Sequence, residues 1–159
     1  MKLIAISKGL HTMIDDDILD IFPTLKWQAM YDRHTKKYYA RCHQRIDGKD
    51  KTVLIHRIIM GAKKGEIVDH INGDTLDNRK CNLRLCTNAE NCRNKKIHFD
   101  NTSGYKGIRK HENRWQAKIT KDYKDYFLGE FKEAKDAALA YNEGAKKMFG
   151  EFARLNIIY

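Results

Sequence analysis

Ile67-Val68-Asp69-His70-Ile71-Asn72-Gly73-Asp74, followed by Asn78-Arg79, Asn82-Leu83-Arg84-Leu85 and Thr87-Asn88-Ala89-Glu90-Asn91, is the stretch on which the reading of this chain turns. Ile67-Val68-Asp69-His70 predicts a strand. Asn72-Gly73-Asp74 and Asp77-Asn78 supply turns, because Asn, Asp and Gly accept the backbone angles that turns need. Asn82-Leu83-Arg84-Leu85 predicts the returning strand. Thr87-x-x-Glu90 is a capping box, so a helix begins at Asn88 and carries Asn91 in its first full turn. Upstream, Val53-Leu54-Ile55-His56 predicts a strand running into a short apolar helix, Arg57-Ile58-Ile59-Met60.

This order of groups has a chemistry. Asp69 offers a charged oxygen and Asn91 a neutral carbonyl oxygen, a donor set that suits one hard divalent cation such as Mg²⁺, with waters and phosphate oxygens completing the shell. His70 is the natural general base, since an imidazole is neutral and still basic near pH 7. Neighbours on a regular strand point to opposite faces. Asp69 and His70 therefore share a site only if the strand ends or distorts there, which the Asn72-Gly73 turn permits. A calcium-loop reading of residues 69–80 fails, because Ile71, Asp74 and Lys80 stand where a ligand, a glycine and a glutamate are needed.

The constellation resembles the core of the HNH nucleases, in the form carried by phage and intron homing endonucleases. The resemblance implies a strand–loop–strand–helix ββα-metal core, with Asp69 and Asn91 as metal ligands and His70 as general base. It also gives Asn82, the middle Asn of the motif, the role of bracing the loop and orienting the histidine. His56, in the His56-Arg57 pair common in this subfamily, is read as a core or helix-entry histidine supporting the site, with a catalytic role as the alternative. The cofactor is a divalent metal, Mg²⁺ or Mn²⁺.

The surroundings agree with a polyanionic partner. The chain has 159 residues, with 31 Lys and Arg against 21 Asp and Glu, a net charge of +10. Nucleic acid is the first partner such a balance suggests. Neither a signal peptide nor a membrane span is read, since Leu3-Ile4-Ala5-Ile6 is too short for either. The expected location is the cytoplasm, that of the host cell for a phage-encoded protein. Cys81, Cys86 and Cys92 are five and six residues apart and Cys42 is remote, so no Cys-x-x-Cys pair marks a zinc cage and the thiols read as reduced.

Residues 104–124 hold seven basic and two acidic side chains. Trp115-Gln116-Ala117-Lys118-Ile119-Thr120 alternates apolar and polar, and Tyr126-Phe127-Leu128-Gly129 follows a polar turn, the pattern of a hairpin. Ala134, Ala137, Ala138, Tyr141, Ala145 and Met148 recur at helical spacing, with Gly150 at the expected C-terminus. The module reads as three antiparallel strands packed on one helix, with its basic charge on the open face. From Ser103 to Asn156 it resembles the plant Apetala/ethylene-response-factor DNA-binding domain. The matching residues include Tyr105-Lys106-Gly107-Ile108-Arg109, Phe127-Leu128-Gly129-Glu130-Phe131, Ala137-Ala138-Leu139-Ala140-Tyr141 and Ala153-Arg154-Leu155-Asn156. That resemblance implies a sheet that enters the major groove, with Lys106, Arg109, His111, Arg114, Lys118 and Thr120 facing DNA and Trp115 in the core.

Residues 1–55 predict strands at 3–7, 27–31, 38–41 and 51–55, and a helix over 15–22 ended by Pro23. The expectation is thus an α+β chain: a strand-rich segment (1–50), an HNH core (51–97), a linker (98–103) and a DNA-binding domain (104–159). Its expected function is that of a site-selective, metal-dependent homing-type endonuclease cutting double-stranded DNA as a monomer, away from membranes. The alternative is a DNA-binding regulator with an inactive nuclease core.

Overall fold

A computed structural model describes residues 1–21, 26–46, 48–94, 97 and 100–158. Among them it shows ten strands in four antiparallel sheets and three α-helices, a mixed α/β architecture. The chain divides into two units, Met1–Asn88 and Ala89–Tyr159. Among the described residues no helix is long and apolar enough to cross a membrane.

The first unit starts with a hairpin, β1 (Lys2–Ala5) and β2 (His11–Ile14). A three-stranded meander follows: β3 (Gln28–Asp32), β4 (Lys37–Ile46) and β5 (Lys49–Leu54). Chain direction then changes through α1 (Ile55–Ile59) into the pair β6 (Ile67–His70) and β7 (Leu83–Cys86). Ile14, Ile18, Trp27, Ala29, Ala40, Cys42 and Ile55 form its core. The helix expected over 15–22 is instead a 3₁₀ turn, Asp16–Ile21, while Phe22 and Pro23 lie outside the described residues. A segment this short gains too few backbone bonds to repay α-helix nucleation. Its acidic start is used otherwise: Asp15 Oδ2 accepts from the Lys80 amide at 2.6 Å and Asp17 pairs with the Lys80 ammonium at 2.7 Å.

Strand β2 was not expected from the sequence, and it positions the loop between β6 and β7. Met13 N donates to Leu76 O and Asn78 N to Met13 O, each at 2.8 Å, a short parallel bridge. Backbone pairing so distant in sequence leaves no local periodicity to read.

The second unit contains α2 (Asn88–Arg93) from Ala89 onward, β8 (Ile108–His111), β9 (Arg114–Lys121), β10 (Lys124–Phe131) and α3 (Ala134–Phe149). The sheet order is β10-β9-β8. Ile108, Ala117 and Ile119 from the sheet meet Ala137, Ala138, Tyr141 and Ala145 from α3, with Trp115 packed against them. Alanines let the helix approach closely. Gly107, at φ +74°, is needed for that approach, because a Cβ there would lie 2.2 Å from the Tyr141 ring. Asn156 ties the C-terminal stretch back: its Oδ1 accepts from Lys106 N at 2.6 Å, and its own N–H donates to Asn142 Oδ1 at 2.7 Å. In the expected linker, 98 and 99 lie outside the described residues, while Asn101 and Ser103 form a turn bonded to Tyr105.

Candidate active site

Register across β6 and β7 sets Asp69 opposite Arg84 and His70 opposite Leu83. Arg84 donates from Nε at 3.0 Å and Nη2 at 2.8 Å to the Asp69 Oδ2. Both residues are buried. A charge taken out of water needs such a partner, and removing one member of a buried pair is costly. The next side chain, His70, meets different neighbours, as strand alternation requires. Its ring stands edge-on to His56, with centroids 5.0 Å apart, and 6.3 Å from Tyr39. Its Nε2 lies 3.1 Å from Asn78 Oδ1.

The loop between the strands is held by its own side chains. Asn82 Oδ1 accepts from Asn72 N at 2.9 Å, and its amide donates to Asp77 O at 2.8 Å. Asn72 Nδ2 donates to Asp77 Oδ2 at 2.9 Å, and Arg79 grips the same carboxylate through Nε and Nη2 at 2.7 and 2.6 Å. That guanidinium holds the Asp77 carboxyl below its ordinary range. Asn82 thus braces the loop, while the bond to the His70 ring comes from Asn78. Lys37 Nζ donates to Gly73 O at 2.7 Å and Thr75 Oγ1 to Tyr38 O at 2.5 Å, which fastens the loop to β4.

The pair His56 and Arg57 splits its work. Arg57 donates to the carbonyls of Glu66 at 2.6 Å and Lys63 at 2.7 Å, fixing the turn between α1 and β6. His56 is buried and its Nδ1 has no hydrogen-bond partner among the described residues. Burial, with His70 and Arg57 adding to it, pushes the His56 pKa down to about 3. Burial also lowers His70, against the opposing pull of the Asn78 bond and the Asp69 charge. Both rings are therefore neutral near pH 7, the state a general base needs.

Asn91 lies half-buried on α2, in the second unit. That helix is fastened by its own unit. Lys106 Nζ donates to Arg93 O at 2.5 Å, Arg154 Nη1 to Asn94 O at 3.3 Å, and the Arg93 guanidinium sits 4.7 Å from the Phe149 ring centroid. Burial and the nearby Arg154 push the Lys106 pKa down to about 8. Lys106 is thus half-buried against α2, whereas Arg109, His111, Arg114 and Thr120 are exposed on the sheet. Arg109 joins a ladder there: its Nε donates to Gln116 Oε1 at 2.9 Å, and Gln116 Nε2 to Glu130 Oε1 at 2.5 Å. His111 stands 3.4 Å from Glu130. Lys118 and Thr120 share Asp125, each at 2.7 Å.

Among the described residues no three His, Cys, Asp or Glu side chains converge on a metal position. The donors the sequence marks are oxygens, the Asp69 carboxylate and the Asn91 amide carbonyl, and this set fits a hard cation. Sequence reasoning passed over Arg84, Asn78 and Thr12. Arg84 was findable, since it alternates with Asn82 on the strand that returns past Asp69. Asn78 read only as a turn former, and Thr12 only as a polar residue near the N-terminus.

A family model described as HNH endonuclease matches residues 53–93. The chain is 38% identical over 163 residues to a protein of Acanthamoeba polyphaga mimivirus named "Uncharacterized HNH endonuclease L560", a match that takes in 98% of this chain and 80% of the relative. It is 33% identical over 93 residues to "Protein 3.8" of Escherichia phage T7, across 57% of this chain and 76% of that protein.

Proposed function

The chain belongs to the HNH endonuclease family and is a nuclease, and we propose that it is a site-selective, homing-type endonuclease that hydrolyses phosphodiester bonds in double-stranded DNA. One observation carries the reading. Asp69 is buried against Arg84 while the next residue, His70, is buried as a neutral ring bonded through Nε2. Burying these groups costs stability, and such placements mark functional sites. A regulator with a dead core has no use for them.

His70 takes a proton from the attacking water, the water oxygen bonds to phosphorus, and the bond from phosphorus to the leaving oxygen breaks. Asp69 and Asn91 would hold a divalent cation, Mg²⁺ or Mn²⁺, with Arg84 orienting the carboxylate. When bound, the cation supplies electrostatic stabilisation for the charge that develops on the phosphate and the leaving oxygen. Asn82 and His56 support the loop and the base.

The C-terminal sheet, in the manner of an Apetala/ethylene-response-factor domain, places the enzyme on the duplex through Arg109, His111, Arg114, Lys118 and Thr120. Lys106 serves this surface indirectly, by holding α2. On this reading, segments 1–50, 51–97, 98–103 and 104–159 divide the labour within a monomer acting in the host cytoplasm.

The test is incubation of the full chain with supercoiled plasmid, with and without Mg²⁺ or Mn²⁺. Nicked or linear product only with the metal supports the reading. Intact plasmid with every metal, alongside retained DNA binding, would instead favour the regulator.

A further inference from the structure

Thr12 lies on β2, 66 residues before Asn78, yet the two side chains are bonded. Thr12 Oγ1 is 2.8 Å from the backbone carbonyl of Leu76, Asn78 Nδ2 is 2.7 Å from Thr12 Oγ1, and Asn78 Oδ1 is 3.1 Å from His70 Nε2. Thr12 and Asn78 are both 0% exposed, so this chain of bonds is shielded from bulk solvent.

The donors and acceptors in it can be assigned from one end. A backbone carbonyl only accepts, so the single Thr12 hydroxyl hydrogen is committed to Leu76 O. Thr12 Oγ1 must then accept, which requires the NH₂ side of the Asn78 amide to face it. The flipped amide would set Asn78 Oδ1 against an oxygen with no hydrogen left to give. Asn78 Oδ1 therefore faces His70, and the nitrogen opposite it, Nε2, must carry the ring proton.

We propose that Thr12 and Asn78 are positioning residues that fix His70 as its Nε2–H tautomer, leaving Nδ1 as the basic nitrogen. The proposal rests on His70 being the general base, and it gives the N-terminal hairpin a part in the reaction. Loss of the relay lets the Asn78 amide turn over and donate to Nε2. That traps the proton on Nδ1 and removes the lone pair that must meet the water. Which ring nitrogen is protonated is commonly set by the bond the other makes.

The experiment is nitrogen-15 NMR of the full chain, labelled at histidine, without metal and at neutral pH. His70 resonances are identified by their loss in His70→Gln. In a neutral imidazole the protonated nitrogen resonates far upfield of the bare one, so the tautomer is read directly. The wild type should show Nε2 protonated. Thr12→Val, which keeps the shape and removes the hydroxyl, should shift His70 toward the Nδ1–H form. Its kcat should fall toward the roughly 10²–10⁴-fold loss expected without a general base, with KM unchanged. Thr12→Ser should restore both. A purely packing role for Thr12 moves neither tautomer nor kcat selectively.

Wild-type His70 protonated at Nδ1 overturns the proposal, whether or not any variant folds. A Thr12→Val protein with unaltered tautomer overturns it as well. If the tautomer is as proposed but His70→Gln cuts DNA at the wild-type rate, the relay stands and the general-base reading falls.

Discussion

Arg84 donates to the Asp69 Oδ2 from Nε at 3.0 Å and from Nη2 at 2.8 Å, and both residues are at least nine-tenths buried. The pair spans β6 and β7, so one contact joins the strand that carries the reactive residues to the strand that closes the loop. Arg84→Ala should cost about 3–5 kcal/mol of stability, because it takes the guanidinium away from a buried carboxylate. Urea unfolding measures it, and a loss under about 0.5 kcal/mol, the range of ordinary surface changes, would mean the pair is not sealed from water. The same geometry makes Asp69→Asn a cleaner probe of chemistry than Asp69→Ala, since the amide oxygen still accepts from Arg84.

His70→Ala should lower nicking by roughly 10²–10⁴-fold while DNA affinity in a gel shift stays near wild type. On the proposed reading the base acts on the scissile phosphate, while duplex affinity would come from the basic sheet. Full metal-dependent nicking by the variant would remove His70 from the reaction.

Much of the framework around this site is legible in the sequence. The β6 and β7 strands, the helix carrying Asn91 and the sheet-and-helix module all follow from short-range patterns: strand alternation, a capping box and alanines at helical spacing. What escaped is what depends on distant pairing. His11-Thr12-Met13-Ile14 is too short to declare itself a strand, and Thr12 is polar yet wholly buried because the Leu76 carbonyl and the Asn78 amide satisfy it. Asn78 carries a turn-former's sequence signal, which conceals a buried amide bonded on both sides. The resemblance gave Asn82 the task of orienting the base; its side chain is occupied at Asn72 and Asp77, and the ring bond falls to Asn78.

Acid should unfold the protein through His56. Its pKa is pushed down to about 3 by burial, with His70 on β6 and Arg57 on its own helix adding to the effect and Tyr39 on β4 packed against the ring. Above its ordinary value of about 6.5 the ring is neutral folded and unfolded, and it contributes no pH dependence. Below that value the unfolded chain takes up a proton that the folded one refuses, so stability falls as pH drops from about 6.5 toward 3. The slope is about 1.4 kcal/mol per pH unit for this proton. Denaturant midpoints at pH 7.5, 6 and 5 should decline in that order, and His56→Phe should flatten the decline. An equal slope in the variant would assign the acid sensitivity elsewhere.

On the C-terminal sheet the cations differ in how committed they are. Lys118 is paired with Asp125 at 2.7 Å, and Arg109 reaches Glu130 through Gln116. Arg114 appears in no ion pair among the described residues. Arg114→Ala should make the salt dependence of DNA binding shallower by about one unit if it contacts phosphate. Lys118→Ala should change the slope less, since its ammonium must first leave Asp125. Asp125→Asn should tighten non-specific binding by releasing that ammonium. Fluorescence anisotropy titrations across salt concentration resolve these slopes, and identical slopes in all three variants would take the open face out of the phosphate contact.

Deleting everything after Asp100 tests whether the C-terminal module does more than bind. Such a deletion removes Lys106, Phe149 and Arg154, which hold Arg93 and Asn94 at the end of α2. Helices of this length are marginal without tertiary support. If Asn91 serves the reaction from α2, the truncated chain should lose turnover as well as affinity, and saturating DNA should not restore cleavage. The readout is single-turnover nicking against DNA concentration. A truncated protein that reaches the wild-type plateau at high DNA would show that the module supplies affinity alone, and that Asn91 holds its place without it.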